Sequence, residues 1–134
     1  MADAVTTQTI QDGQRTAIMK FTNLSDNTGE TAVVKVNVSD LEVQDGTGAA
    51  CTSVTVQTIQ FVTYGMSVQI DLDASANVLL ATLPQDYSDT LDFSDYGVPN
   101  NAGTGVTGNI LFTTIGAAAA DSYMVIITMT KNYG

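Results

Sequence analysis

The chain has no histidine, no tryptophan, one cysteine, two prolines and four basic residues among its 134. Each shortage excludes something. Without histidine, and with Cys51 alone, thiol–imidazole dyads, the Ser-His-Asp triad and the usual zinc ligand sets are unavailable. A lone cysteine also forbids an internal disulfide, so stability is expected from a packed core. Glutamate occurs only at Glu30 and Glu42, and the basic residues are Arg15, Lys20, Lys35 and Lys131, which leaves amphipathic surface helices few of their usual charged formers. No run approaches the roughly 20 apolar residues of a membrane span, so no membrane partner is expected. Met1-Ala2-Asp3-Ala4 carries neither the basic start nor the apolar stretch of a signal peptide, which points to synthesis and first folding in the cytoplasm. No glycine-rich loop leads into Lys and Ser or Thr, and Gly103, Gly105 and Gly108 precede a strand-like run, so phosphate cradling is not expected.

What is abundant favours strands. Twenty threonines, many Val and Ile and eleven glycines suit pleated surfaces joined by tight turns, because branched side chains pack well on a sheet and are stiff in a helix. Apolar residues make up 44% of the chain and charged ones 13%, a balance that folds rather than staying disordered. The length suits one domain spanning 1–134.

The hydrophobic period is close to two. Ala17, Met19 and Phe21 alternate with polar or exposed positions, as do Val34, Val36 and Val38 around Lys35 and Asn37, which predicts two half-buried strands. Asn23 to Gly29 supplies a turn between them, and an acidic loop from Ser39 to Thr52 follows. Val54 and Val56 share one parity and Ile59 and Phe61 the other, which predicts a bulge or a strand covered on both faces. Tyr64-Gly65 reads as a hairpin turn into a strand with Met66, Val68, Ile70 and Leu72 on one face, and Asp73 to Asn77 turns into Val78 to Leu83. After Pro84 the stretch to Val106 is irregular, with Leu91 and Phe93 marking a short strand and residues 100–105 a turn. Ile110 to Ile115 and Tyr123 to Met129 are strands, the second apolar enough to be central, with Gly116 to Asp121 as a loop. Eight or nine short strands separated by regular turns predict an all-β, antiparallel, jelly-roll-like sandwich. Residues 1–11 lack a core pattern and read as an extended arm that adds to a neighbouring sheet or frays.

The formal net charge is −10, and residues 39–95 hold nine acidic side chains and no basic one. Such a surface repels phosphate, so nucleic acid is not an expected partner, whereas a cationic protein surface or a bound cation suits it. Asp86, Asp89, Asp92 and Asp95 recur every third residue; a carboxylate pair for glycoside hydrolysis is the one catalytic pattern available, and a solvated loop explains the run better. Asp71, Asp73, Ser75 and Asn77 place oxygen at alternate positions like a calcium loop, but Ala76 and Thr82 stand where glycine and glutamate belong. Asp71, Asp73, Asp86 and Asp89 are therefore the calcium candidates, with a β-turn as the plainer explanation and no cofactor expected. Arg15, Lys20 and Lys35 are candidates for contact with an anionic partner, against simple pairing with Asp12, Asp26 and Glu30.

The stretch Asp12-Gly13-Gln14-Arg15, Met19-Lys20-Phe21-Thr22-Asn23, Gly29-Glu30 and Lys35-Val36-Asn37-Val38-Ser39 resembles small virion structural proteins of tailed, often marine, bacteriophages. Ala50-Cys51-Thr52-Ser53-Val54, Asn101 to Gly108 and Thr113-Thr114 extend the resemblance over most of the chain. It implies a non-enzymatic role on the particle. Size and strand pattern favour a capsid decoration (cement) protein on the surface of the phage head, bound to the major capsid protein lattice, with a homotrimer suited to local threefold positions. A tail, neck or fibre component is the alternative within that class. A carbohydrate-binding module is the alternative outside it, and the absence of tryptophan, with only five tyrosines, weighs against it.

Overall fold

In the computed structural model, residues 4–13, 15–25, 29–42, 46–75, 77–93, 97–98 and 105–133 are described. Asp26, Asp45, Ala76, Asp95 and the expected turn at 100–104 lie outside them.

The alternating segments form nine strands: β1 (Ala4–Asp12), β2 (Thr16–Leu24), β3 (Val33–Val36), β4 (Cys51–Tyr64), β5 (Ser67–Leu72), β6 (Val78–Leu83), β7 (Ser88–Asp92), β8 (Ile110–Ile115) and β9 (Ser122–Tyr133). One turn of 3-10 helix, Val38–Asp40, follows β3. All pairings are antiparallel, in a five-stranded sheet ordered β1-β2-β9-β4-β7 and a four-stranded sheet ordered β3-β8-β5-β6. With β1 set aside, these orders are those of a jelly roll, in which successive strands repeatedly cross between the layers.

Strands β2, β4, β5, β8 and β9 turn apolar side chains inward. Ala17, Met19 and Phe21 of β2, Val125, Ile127 and Met129 of β9, and Ile59 and Phe61 of β4 meet Val68, Ile70 and Leu72 of β5 and Ile110 and Phe112 of β8 in one core. Phe112 sits at its centre, edge-on to Phe21 at 5.2 Å and to Tyr123 at 5.8 Å between ring centroids. β9 is central, as its apolar content predicts, and the parity change in β4 is a bulge: Val56 pairs with Met129 but Thr58 with Thr128, leaving Gln57 as the extra residue. Where the long β4 begins, Gly108 packs so closely that a Cβ there would lie 2.1 Å from the Thr52 carbonyl oxygen; with φ +86°, this position requires glycine.

Several expectations are corrected. Tyr64-Gly65 does not close a hairpin: β4 and β5 lie in different sheets, so it is a corner between layers. β4 and β9, at 14 and 12 residues, are long strands rather than short ones. Residues 4–12 are no free arm, because β1 pairs with β2 of its own chain from Ala4↔Leu24 to Asp12↔Ala17. Val34 is not a core residue. The register shifts between Val34 and Val36, so Lys35 occupies a bulge and turns inward with Val36, while Val34 is left 45% exposed.

Phe112→Ala is therefore expected to lower unfolding free energy by about 3–5 kcal/mol. Val34→Ala, at a position that strict alternation would bury, should stay within about 0.5 kcal/mol of the parent. Urea denaturation of the two variants checks both values.

Candidate functional site

The structure separates the calcium candidates. Asp71 and Asp73 lie at the end of the sandwich where β5 turns into β6, whereas Asp86 and Asp89 lie toward the opposite end, where β6 crosses to β7. Asp73 Oδ2 accepts a hydrogen bond from the Thr107 hydroxyl at 2.7 Å, and Asn77 Oδ1 accepts from the Ala74 amide at 3.0 Å, which makes 73–77 a tethered turn. Asp71 pairs across strands with Leu111 and Leu79, and burial pushes its carboxyl above the ordinary value. Asp86 Oδ1 accepts from the Gly65 amide and Asp89 Oδ1 from the Thr90 amide, both at 2.7 Å. Asp89 and Asp92 have opposite parity on the exposed edge strand β7, so they do not face a common substrate. Among the described residues no three Asp, Glu, Cys or His side chains gather as a metal site would require.

The basic candidates also divide. Arg15 is exposed in the β1–β2 turn, and Lys20 is half-buried on the outer face of β2. Lys35 is not available to a partner. Its ammonium lies 2.5 Å from Glu30 Oε2, with the two side chains only 4% and 5% exposed. Asn23 Nδ2 and the Tyr123 hydroxyl donate to Glu30 Oε1 at 3.0 and 2.6 Å, so the carboxylate is held by three side chains from β2, β3 and β9. The Glu30 main chain exchanges bonds with Thr114 of β8 as well.

A second buried cation escapes the sequence reading. Lys131 Nζ donates to Asp12 Oδ1 at 2.6 Å and to the carbonyls of Gly13 and Glu42 at 2.9 Å each, which uses all three of its donors. Its nitrogen also stands 5.6 Å from the centre of the Tyr133 ring. Asp12 Oδ2 in turn accepts from the Glu42 amide, so the β1–β2 turn and the β3–β4 connection are tied to the end of β9. These partners lie far away in sequence; the one local signal is a lysine at the end of an otherwise uncharged strand.

β1 offers an open surface. This strand forms an edge of the larger sheet, and residues 5–11 are exposed on both faces, with Val5 at 45% and Ile10 at 49%. Among the described residues no strand of the smaller sheet packs against it. A cleft of about 420 Å³ opens there instead, bounded by Thr7 and Thr9 on one side and by Val34, Asn37 and Asp40 on the other.

No family model and no curated protein matches the chain. Its functional reading therefore rests on the residues and their geometry.

Two outcomes test the buried pairs. Lys35→Met leaves Glu30 charged without its cation and should cost about 3–5 kcal/mol in a urea titration, while the double change with Glu30→Gln should recover much of that loss. For Lys131, burial opposes the charge, but the bonds and attraction to Asp12 and Tyr133 prevail and hold its ammonium above the ordinary 10.5. A raised folded value stabilises fully below the unfolded one and is lost as pH rises through the folded one. The stability gap between the parent and Lys131→Met should thus narrow above pH 10.5.

Proposed function

We propose that the chain is a non-enzymatic virion structural protein, a decoration (cement) protein that seats on the outer surface of a tailed-phage head and stabilises the major capsid protein lattice. The observation that carries the reading is β1, which adds a strand outside the two-layer core and keeps both faces and its outer edge open. A strand of this kind offers main-chain donors and acceptors for pairing with another chain, together with alternate side chains for selecting it. The resemblance to phage virion proteins along the segments that form β2, β3 and β8 supports the same reading.

Charge adds to it. Two of the four basic side chains are consumed in buried pairs, so the outer surface is strongly anionic and complements a cationic patch on a capsid. A homotrimer at local threefold positions fits a repeated lattice. On this reading the protein is made in the host cytoplasm and resides on the capsid surface.

Recombinant protein should cosediment with capsids stripped of it and saturate at a fixed number of copies per lattice site. Ile10→Asp, a change outside the core, should weaken that binding by about tenfold at unchanged melting temperature. Binding of a few copies at one vertex would instead place the protein in the neck or tail and defeat the decoration reading.

A further inference from the structure

At the end of the sandwich where β2, β4, β6 and β8 cross between sheets, two aromatic rings stand in solvent. Tyr64 is 66% exposed and Tyr87 51%, whereas Phe21, Phe61, Phe112 and Tyr123 are buried. Both border one hollow of about 520 Å³, together with the carboxylates of Asp86 and Asp121. The four side chains come from the end of β4, the β6–β7 connection and the β8–β9 connection, so their meeting is a product of the fold.

The hollow is held in shape by its own backbone. The Thr63 amide donates to the Tyr87 carbonyl at 2.9 Å, and the Thr63 hydroxyl donates to the Pro84 carbonyl at 2.5 Å, which fixes Tyr87 beside the end of β4. The Tyr87 ring rests 6.2 Å from that of Phe61, at the edge of the core. Asp86 adopts φ +56°, a left-handed conformation uncommon outside glycine, and in it accepts from the Gly65 amide. From the other side Asp121 lies against the same glycine. A Cβ on Gly65 would be 2.0 Å from Asp121 Oδ1, and with φ +78° this position admits the carboxylate only as glycine. Asp121 is itself oriented by the Ala118 amide, which donates to Oδ2 at 2.8 Å.

We infer that this hollow binds a neutral saccharide. A pyranose presents hydroxyl donors around its rim and an apolar C–H face. The carboxylates supply charge-assisted acceptors for the first, and exposed tyrosine rings supply flat apolar surface for the second. No basic side chain borders the hollow, and the chain carries a net charge of −10, so sialylated, uronic and phosphorylated sugars are disfavoured. The shortage of aromatic residues that argues against sugar binding in the sequence is offset by placement, because two of the five tyrosines share one site. The inference stands independently of the virion reading.

Amide NMR of the labelled full-length chain, titrated with methyl α-glucopyranoside, methyl β-galactopyranoside and maltotriose, tests it. Saturable shifts are expected around Gly65, Asp86 to Ser88 and Asp121 with at least one of these sugars, and none with N-acetylneuraminic acid. Tyr64→Ala should weaken the binding by about tenfold without altering the circular-dichroism spectrum or melting temperature, since that ring is outside the core. Tyr87→Ala should do the same; if it also loses stability through Phe61, the Tyr64 variant decides. Absence of saturable shifts with all three sugars, or sugar binding indifferent to Tyr64→Ala, overturns the inference. So does a response of these amides to calcium alone. If Tyr64→Ala abolishes capsid cosedimentation while no sugar binds, the hollow is a protein contact and the saccharide inference fails without harm to the decoration reading.

Discussion

One buried carboxylate fixes how the two sheets meet. Glu30 lies on the connection that leaves β2 for β3, and its side chain is bound by Asn23 of β2, Lys35 of β3 and Tyr123 of β9 while its main chain is bound to Thr114 of β8. Two strands of each sheet therefore converge on one residue. Apolar packing favours contact without dictating direction. A charge inside the protein is different, since it is tolerated only where its partners stand at bonding distance. Lys131 plays the corresponding part at the far end of β9, where it draws together the β1–β2 turn and the connection that enters β4. From the Glu30 clamp, Tyr123 leads into the core through its edge-on contact with Phe112, which meets Phe21 in turn.

Much of the architecture is legible in the sequence because strand alternation is a local property. The parity of Ala17, Met19 and Phe21 and of Val68, Ile70 and Leu72 is kept in the structure, and the change of parity after Val56 marks a real bulge. Bulges with no such signature are hidden. Nothing near Val34 reveals that Lys35 turns inward, because the reason is a carboxylate reached through a connection that changes sheets. The corner at Tyr64-Gly65 is ambiguous for a related reason: a turn signal shows that the chain reverses, but not whether it returns to the same layer. Chemistry is less legible still. The four calcium candidates share a composition and not a place, while Tyr64, Tyr87, Asp86 and Asp121 have no spacing that marks them as neighbours.

The fold divides its work between interior and rim. Strands β2, β9 and β4 and the opposing sheet bury the apolar faces, whereas β1 contributes almost nothing to the core and lies open on both sides. The saccharide hollow is at the end of the sandwich built from crossing connections. The edge surface proposed for lattice contact and the hollow proposed for a saccharide are thus separate surfaces on one scaffold, as is common where loops and edges are mounted on a rigid sheet.

The sequestration of Lys35 and Lys131 reaches beyond stability. Of the three lysine side chains, two are locked inside ion pairs, and Lys20 alone stands on an outer face, half-covered on β2 between its cross-strand neighbours Gln8 and Ile126. Amine-directed conjugation of the folded protein therefore meets one lysine, so a dye or cargo attached through lysine would take a defined position and heading on the sheet.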